Sequence, residues 1–401
     1  MTGLVKHYQN TMKGIPQLTN NWGAMINLLD AVLVNGFNHV TILGLTKTNT
    51  TSITATINLG SDHGFIDRQV VRIAGSTNGW NGDYKVLSAD STSITVECTA
   101  THASAILGTA TCFTAPLDFE IIHQTPSDST TPKRAYRSTN PESLGLILLI
   151  HDFCAPGGNA SGAKFAKVAI VSSMSDIDTI TGVQMPYSET NPQRNWTFSG
   201  GVHGWAKWYY RVQNANQGIR DSVAPPSASA AFNIVGNSET FFIDCLVGGT
   251  TGYALSGIAE FHDPHLNVKN IALFAAGIIT PRAETWIYAT HSQGAYLKSI
   301  SDGHASTQVS ANIFLNKDGL NIPEPLTKNM GIAAASQSDS ILVDAVVFDS
   351  NNNPRGVIPF VKNHVSTTSK ITYLQDAGKT VFRYTSDSYA TLQYALTLEN
   401  E

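Results

Sequence analysis

Several clusters in this chain have residue types and spacing that chemistry uses. Thr290-His291-Ser292-Gln293-Gly294 follows a strand-like run from Thr285 to Ala289. It approaches the nucleophile elbow Gly-x-Ser-x-Gly, where a sharp strand-to-helix turn exposes a serine. Thr290 stands where the first glycine belongs, and a β-branched residue fits that tight turn poorly. The chain also lacks the alternating strands and helices of an α/β hydrolase, so hydrolysis through Ser292 is only an outside reading. Gly157-Gly158-Asn159-Ala160-Ser161-Gly162-Ala163-Lys164 has the glycines of a phosphate loop. Ala163 separates Gly162 from Lys164, and the Gly-Lys-Ser/Thr ending is missing. A surface loop between strands is the expectation there. Glu260, His262, Asp263 and His265 are metal-ligating types in close succession, but Pro264 disfavours the helix that would align the two histidines. Asp176 and Asp178 would share one face of a strand, as exposed acidic pairs often do. Trp196, Trp205, Trp208, Tyr209 and Tyr210 crowd together. Aromatics of this kind form either a glycan- or protein-binding patch or a core. On the first reading Trp205, Trp208 and Tyr209 are the surface-binding residues. No catalytic residue, metal or cofactor is expected.

The elements that must position such groups are mostly strands. One helix stands out near the start. Asn20 or Asn21 can cap it, because a short polar side chain accepts from the free N–H groups of the first turn. Trp22, Met25, Leu29 and Val32 recur at helical spacing, and Ile26 and Leu33 widen the stripe. Asn35-Gly36 ends it, since glycine takes the left-handed conformation at a C-terminal cap. A helix of about four turns is marginal alone in water, so its apolar face must dock. The partner is either the body of the same chain or a neighbouring subunit. In the second case these six residues are an assembly interface.

Residues 48 to 116 read as a compact β module. Ile53, Ala55 and Ile57 alternate with threonine, and Val70-Val71-Arg72-Ile73, Tyr84-Lys85-Val86 and Ile94-Thr95-Val96 follow. Turn clusters such as Asn81-Gly82-Asp83 separate them, with the positive φ angles that tight hairpins need. Beyond residue 117 short strand candidates continue, including Lys167 to Val171, Phe232 to Val235, Phe241 to Ile243, Ile271 to Phe274 and Ile341 to Phe348. The expected organisation is an arm over 1–42, a small β module over 43–116 and a larger β-rich domain over 117–401, with a further division allowed near 245–265. The fold class is mainly β: a short helical arm, a small β-sandwich module and a larger sandwich-like region.

Composition narrows the function. Charged residues make up 14 % of the 401, low for a globular chain, and the net charge is −5. Scarce charge suits an all-β protein, and equally a subunit covered by neighbours, since interface cores are charge-poor. No basic stripe marks a nucleic-acid footprint. Cys98, Cys112, Cys154 and Cys245 have neither zinc nor redox spacing. They read as thiols, with a Cys98–Cys112 disulfide open only if their strands pair. The N-terminus shows no charged leader before an apolar run. The longest apolar run, Leu144 to Ile150, is far too short to span a bilayer.

Stretches spread along the chain resemble, in order and spacing, a family of tailed-bacteriophage virion proteins. They begin with Lys6-His7-Tyr8-Gln9-Asn10-Thr11-Met12-Lys13-Gly14-Ile15-Pro16 and Leu28-Leu29-Asp30-Ala31-Val32-Leu33-Val34-Asn35-Gly36-Phe37. His63-Gly64-Phe65, Val71-Arg72-Ile73-Ala74-Gly75 and Asn81-Gly82-Asp83-Tyr84-Lys85-Val86 are similar to the Ig-like module of such proteins. Lys133-Arg134-Ala135-Tyr136-Arg137-Ser138, Met174-Ser175-Asp176-Ile177-Asp178, Asn233-Ile234-Val235-Gly236-Asn237-Ser238-Glu239-Thr240-Phe241-Phe242 and Pro354-Arg355-Gly356-Val357-Ile358-Pro359 continue the series. The match thins after about residue 260. The resemblance implies a non-enzymatic structural subunit of a phage tail, at the baseplate, neck or tail tip. Its implied partners are other virion proteins and further copies of itself in three- or six-fold symmetry. It would assemble in the host cytoplasm and reside in the virion. A receptor- or glycan-binding module of the same particle is the alternative. No nucleic acid and no membrane span are expected.

Overall fold

The computed structural model describes residues 4–154, 160–185, 196, 206–211, 224–248, 252–264, 267–277, 296–298, 341–348, 354–365, 373–376, 380–386 and 393–399. The fold is mainly β, built of antiparallel sheets with one short helix.

Two sheets face each other to form the body. The first runs Lys6–Gln9, Phe232–Gly236, Phe241–Gly248, Gly252–Asp263, Val268–Phe274, Tyr296–Lys298 in spatial order. The second runs Ala276–Gly277, Ala206–Arg211, Lys164–Val171, Ile147–His151, Lys133–Ser138, Phe119–Gln124, with Gln184–Met185 added beside Lys164–Val171. Strand side chains alternate between faces, and here both faces of the first sheet are apolar. Ile234, Phe241, Ile243 and Leu273 point into the body core, against Leu148, Val168, Ile170 and Trp208 of the second sheet. Their neighbours Val235, Phe242, Ala272 and Phe274 point the other way and meet Ile358, Val361, Leu396 and Leu398. Those four belong to a third sheet, ordered Ile341–Phe348, Pro354–Val365, Gln393–Glu399, Thr380–Ser386, Tyr373–Asp376. Being buried on both faces explains why Phe232–Gly236 and Phe241–Gly248 read as near-continuous apolar runs rather than alternating ones. Gly356 sets the close approach of the third layer: with φ +146, a Cβ there would sit 2.4 Å from the His262 carbonyl oxygen.

The small module is a separate sheet ordered Phe37–Thr41, Thr111–Thr114, Val70–Ala74, Gly82–Ala89, Ser93–Glu97, Thr54–Asn58, Gly44–Lys47. Its ends fold toward each other around Ile57, Val71, Ile73, Trp80, Val86 and Val96. Side chains fix its turns. The Asp90 carboxylate accepts the Thr92 and Ser93 N–H groups at 2.7 and 2.8 Å. The Lys47 ammonium is buried within 3.1–3.3 Å of the carbonyl oxygens of Thr50, Thr99, Ala100 and His102. Phe37–Thr41 belongs to this sheet, so the expected boundary at residue 42 falls inside the module's first connection. Cys98 and Cys112 are free thiols.

The first forty residues are not a separate arm. Lys6–Gln9 is a full edge strand, with Tyr8 opposite Ile234 and His7 opposite Val235. The helix begins at Ala24, after Gly23 at φ 91, and no side chain of its own segment caps it. Neither Asn20 nor Asn21 does that work. It is α-helical over Ala24–Leu29 and widens to a π-helix over Asp30–Asn35. Gly36 ends it where expected, but with φ 68 and ψ −179 it is extended at positive φ and not in the expected left-handed helical conformation. A Cβ at Gly36 would lie 2.5 Å from the Phe113 ring, so the chain can pass the module only with glycine there.

Candidate functional site at the joint of arm, module and body

A polar cluster lies where the first strand, the module and the body meet. Lys6, from the edge strand, reaches Asp83 of the module at 2.6 Å and Asp118 at 3.2 Å, where the body begins. It also donates to the Pro116 carbonyl. Arg72 holds the same two carboxylates from the module side. Its Nε and Nη2 fork onto Asp83 at 2.5 and 2.9 Å, and Nη1 meets Asp118 at 2.7 Å. Two cations and two carboxylates thus balance, and each carboxylate bridges two chain segments. Lys6 is 6 % exposed and Asp83 19 %. Open surface pairs contribute about 0–1 kcal/mol; in a shielded cluster like this one the larger cost comes from removing one partner, which leaves a buried charge unpaired. The hydrogen bonds to Asp83, and then those to Asp118, hold the Arg72 guanidinium firmly charged. Beside them the Tyr8 hydroxyl donates to the Ala115 carbonyl at 2.7 Å.

A second contact seats the helix. Asp152 lies at the end of the strand Ile147–His151 and is fully buried. Its carboxylate accepts the Met25 N–H at 2.8 Å and the Tyr210 hydroxyl at 2.8 Å, and the Gly23 and Ile26 N–H groups also point to it. The N-cap that the helix lacks locally is therefore supplied from the body. Asp30, one turn on, accepts from Tyr136 at 2.6 Å and from Arg134 Nε at 3.1 Å. Burial raises the Asp152 pKa to about 7, although these hydrogen bonds oppose the rise.

That shift has a testable sign. A carboxyl whose folded pKa exceeds its unfolded value contributes most stability below the unfolded value, about pH 4, and loses it as pH rises through 7. Asp152→Asn keeps an acceptor for the helix but does not titrate. Urea unfolding of both proteins between pH 4 and 8 is expected to show the native chain losing stability relative to the variant across pH 4–7, by on the order of 3 kcal/mol. Parallel profiles would contradict an ionising Asp152 in this socket.

The residues singled out in sequence fall as follows. Met25, Ile26, Leu29, Val32 and Leu33 are all buried in the body core, and Trp22 packs partly buried against it. The body of the same chain covers this stripe, which corrects the expectation of an assembly interface. A helix face looks the same in sequence whether its own chain or another covers it. Trp208, Tyr209 and Tyr210 are buried as well. The Trp208 indole N–H donates to the Phe274 carbonyl at 2.8 Å, and its ring meets Phe241 edge-on. Trp208 and Tyr209 therefore offer no surface to a glycan, which corrects that expectation. Trp205 and Ser292 lie outside the described residues.

The remaining clusters disperse. Glu260 accepts from Ser143 and the Leu144 N–H and pairs with Lys269 at 2.9 Å. His262 is exposed, Asp263 lies on the opposite face of the strand, and His265 is outside the described residues. Asp176 accepts the Asp178 N–H within a turn, whereas Asp178 pairs with Lys133. Lys164 starts a strand, donates to the Ala160 carbonyl and lies 4.6 Å from the centre of the Trp22 ring. Among the described residues no group of three or more His, Cys, Asp or Glu is placed to hold a metal ion. Among them, too, no helix is long and apolar enough to cross a membrane.

Lys6, Arg72, Asp83, Asp118 and Asp152 have no local signal of their own in the sequence. Asp83 reads as the end of an Asn-Gly turn and Arg72 as the polar position of a strand. Compared with known proteins, the chain matches no protein-family model and no curated protein.

Proposed function

We propose that the chain is a structural subunit of a tailed-phage particle, a tail component of the baseplate, neck or tip. One observation carries the reading. Several of the stretches that resemble virion proteins meet at or beside the joint. Lys6 and Tyr8 come from the first of them, Asp30 from the second, and Arg72 and Asp83 from the module. Arg134 and Tyr136, from a later stretch, hold Asp30. Asn233 to Gly236, from another, pair with the edge strand. On this reading those stretches supply a largely buried, ion-paired connection between the first strand, the module and the body, as a building block would use. Assembly on this reading uses surfaces other than the helix stripe. Its partners would be other virion proteins and further copies of this chain, three or six around an axis.

Quantitative mass spectrometry of purified particles from cells producing this chain tests the proposal. The chain is expected at an integral, multi-copy ratio to the other particle proteins. Its recovery only in the unassembled fraction would overturn the reading.

A further inference from the structure

Asp263-Pro264 is the single Asp-Pro bond in the chain. It sits at the end of the long strand Gly252–Asp263, where the chain turns back into Val268–Phe274 and Asp263 stands opposite Val268 as the last pair of the ladder. The two sides of this bond lie in opposite surroundings. Asp263 is fully buried, whereas Pro264 is exposed. Asp263 shares a strand face with Phe261, part of the core between the first and third sheets. Asn270, diagonal to it across the ladder, donates from Nδ2 to its Oδ2 at 3.3 Å. The third sheet comes close just before the bond. A Cβ on Gly356 would lie 2.4 Å from the His262 carbonyl oxygen and 2.6 Å from the Phe261 ring. The ladder and the third sheet thus clamp the strand up to the residue that carries the bond.

We propose that the folded chain cleaves its own Asp263–Pro264 bond, with the Asp263 carboxylate as nucleophile. A carboxylate can attack a carbonyl and form a covalent intermediate. Here the attacked carbonyl belongs to the same residue, so ring closure needs only side-chain rotation and gains from proximity. A carboxylate oxygen bonds to the carbonyl carbon as the bond to the Pro264 nitrogen breaks. The electron pair of that bond stays on nitrogen, which takes a proton from solvent and becomes a new amino terminus. Water then opens the cyclic anhydride left on Asp263, restoring the side-chain carboxyl and creating a carboxyl terminus. One water is consumed, and no oxidant, reductant or cofactor is needed. The surroundings suit each part. Burial keeps water from hydrating the nucleophile. The bond to proline is a tertiary amide, whose basic nitrogen leaves readily once protonated, and Pro264 stands in solvent where the proton is available. Both new ends stay in the sheet, because the pairs from Gly257 opposite Phe274 to His262 opposite Lys269 are untouched. The product is a nicked body rather than two separate pieces. The inference does not depend on the virion reading.

The test incubates the purified full-length chain at neutral pH with protease inhibitors and follows it by denaturing electrophoresis and intact mass. Fragments 1–263 and 264–401 are expected, the second beginning at Pro264. They should form at a rate independent of protein concentration and elute together on gel filtration. The chain unfolded in urea is expected to stay whole, because the fold supplies the buried nucleophile. Pro264→Ala changes an exposed residue and replaces the tertiary amide, and it is expected to stay whole while folded. Asp263→Asn keeps the side-chain shape with a weaker nucleophile and is expected to do the same. If the Asn variant does not fold, Pro264→Ala and the urea control decide. A native chain that remains whole would overturn the proposal. So would cleavage as fast in urea as in the fold, or undiminished cleavage in either folded variant.

Discussion

Deleting residues 1–40 is expected to yield an insoluble chain, not a soluble body that has lost an appendage. The deletion removes the edge strand paired with Phe232–Gly236 and the bridge from Leu18 to Ala230. It also strips Tyr8, Leu18, Met25, Ile26, Leu29 and Leu33 from the body core, where each is at most 1 % exposed. Burying one such side chain contributes about 1.5–3 kcal/mol. Together these six match or exceed the ~5–15 kcal/mol that holds an ordinary domain folded. Tyr136 would in addition lose its Asp30 acceptor, and Asp152 would lose the helix N–H groups and keep the Tyr210 hydroxyl. The soluble fraction and far-UV circular dichroism of the truncated chain check this. A soluble, native-like truncation product would show that the helix and strand are accessories.

Trp208→Ala is expected to lower stability by about 3–5 kcal/mol, as large-to-small changes of buried aromatics do. The indole is fully enclosed, packs edge-on against Phe241 at 5.9 Å and satisfies the Phe274 carbonyl. Loss of that hydrogen bond adds about 1 kcal/mol. Urea unfolding should show a lower midpoint with an unchanged slope. Trp208→Phe, which refills part of the space, should lose less. An unchanged midpoint, accompanied by a binding defect, would return this tryptophan to the surface.

The β character of the chain was legible because alternation and turn chemistry are local. Ile57, Val71, Ile73, Val86 and Val96 alternate with polar residues, and all of them face the module core. The helical stripe was equally legible, down to the stop at Gly36. Its destination was not, because periodicity reports which face is apolar and not what covers it. The same limit applies to Trp208 and Tyr209, whose neighbours come from strands far along the chain. The cap was misassigned for a related reason. Asn20 and Asn21 have the right chemistry nearby, but Asp152 reaches the helix start from a distant strand. The joint was invisible for want of any local pattern: Lys6, Arg72, Asp83 and Asp118 converge only once three segments have folded.

The account rests on the first forty residues being structural members of the body. Hydrogen exchange of the isolated full-length chain measures this most directly. The amides of Lys6–Gln9 and of the Asn27–Leu29 turn are predicted to exchange as slowly as those of Phe232–Gly236, because they open only with the body. Free exchange of those amides in the isolated chain, with protection appearing only on assembly, would contradict it and restore the arm as an assembly element.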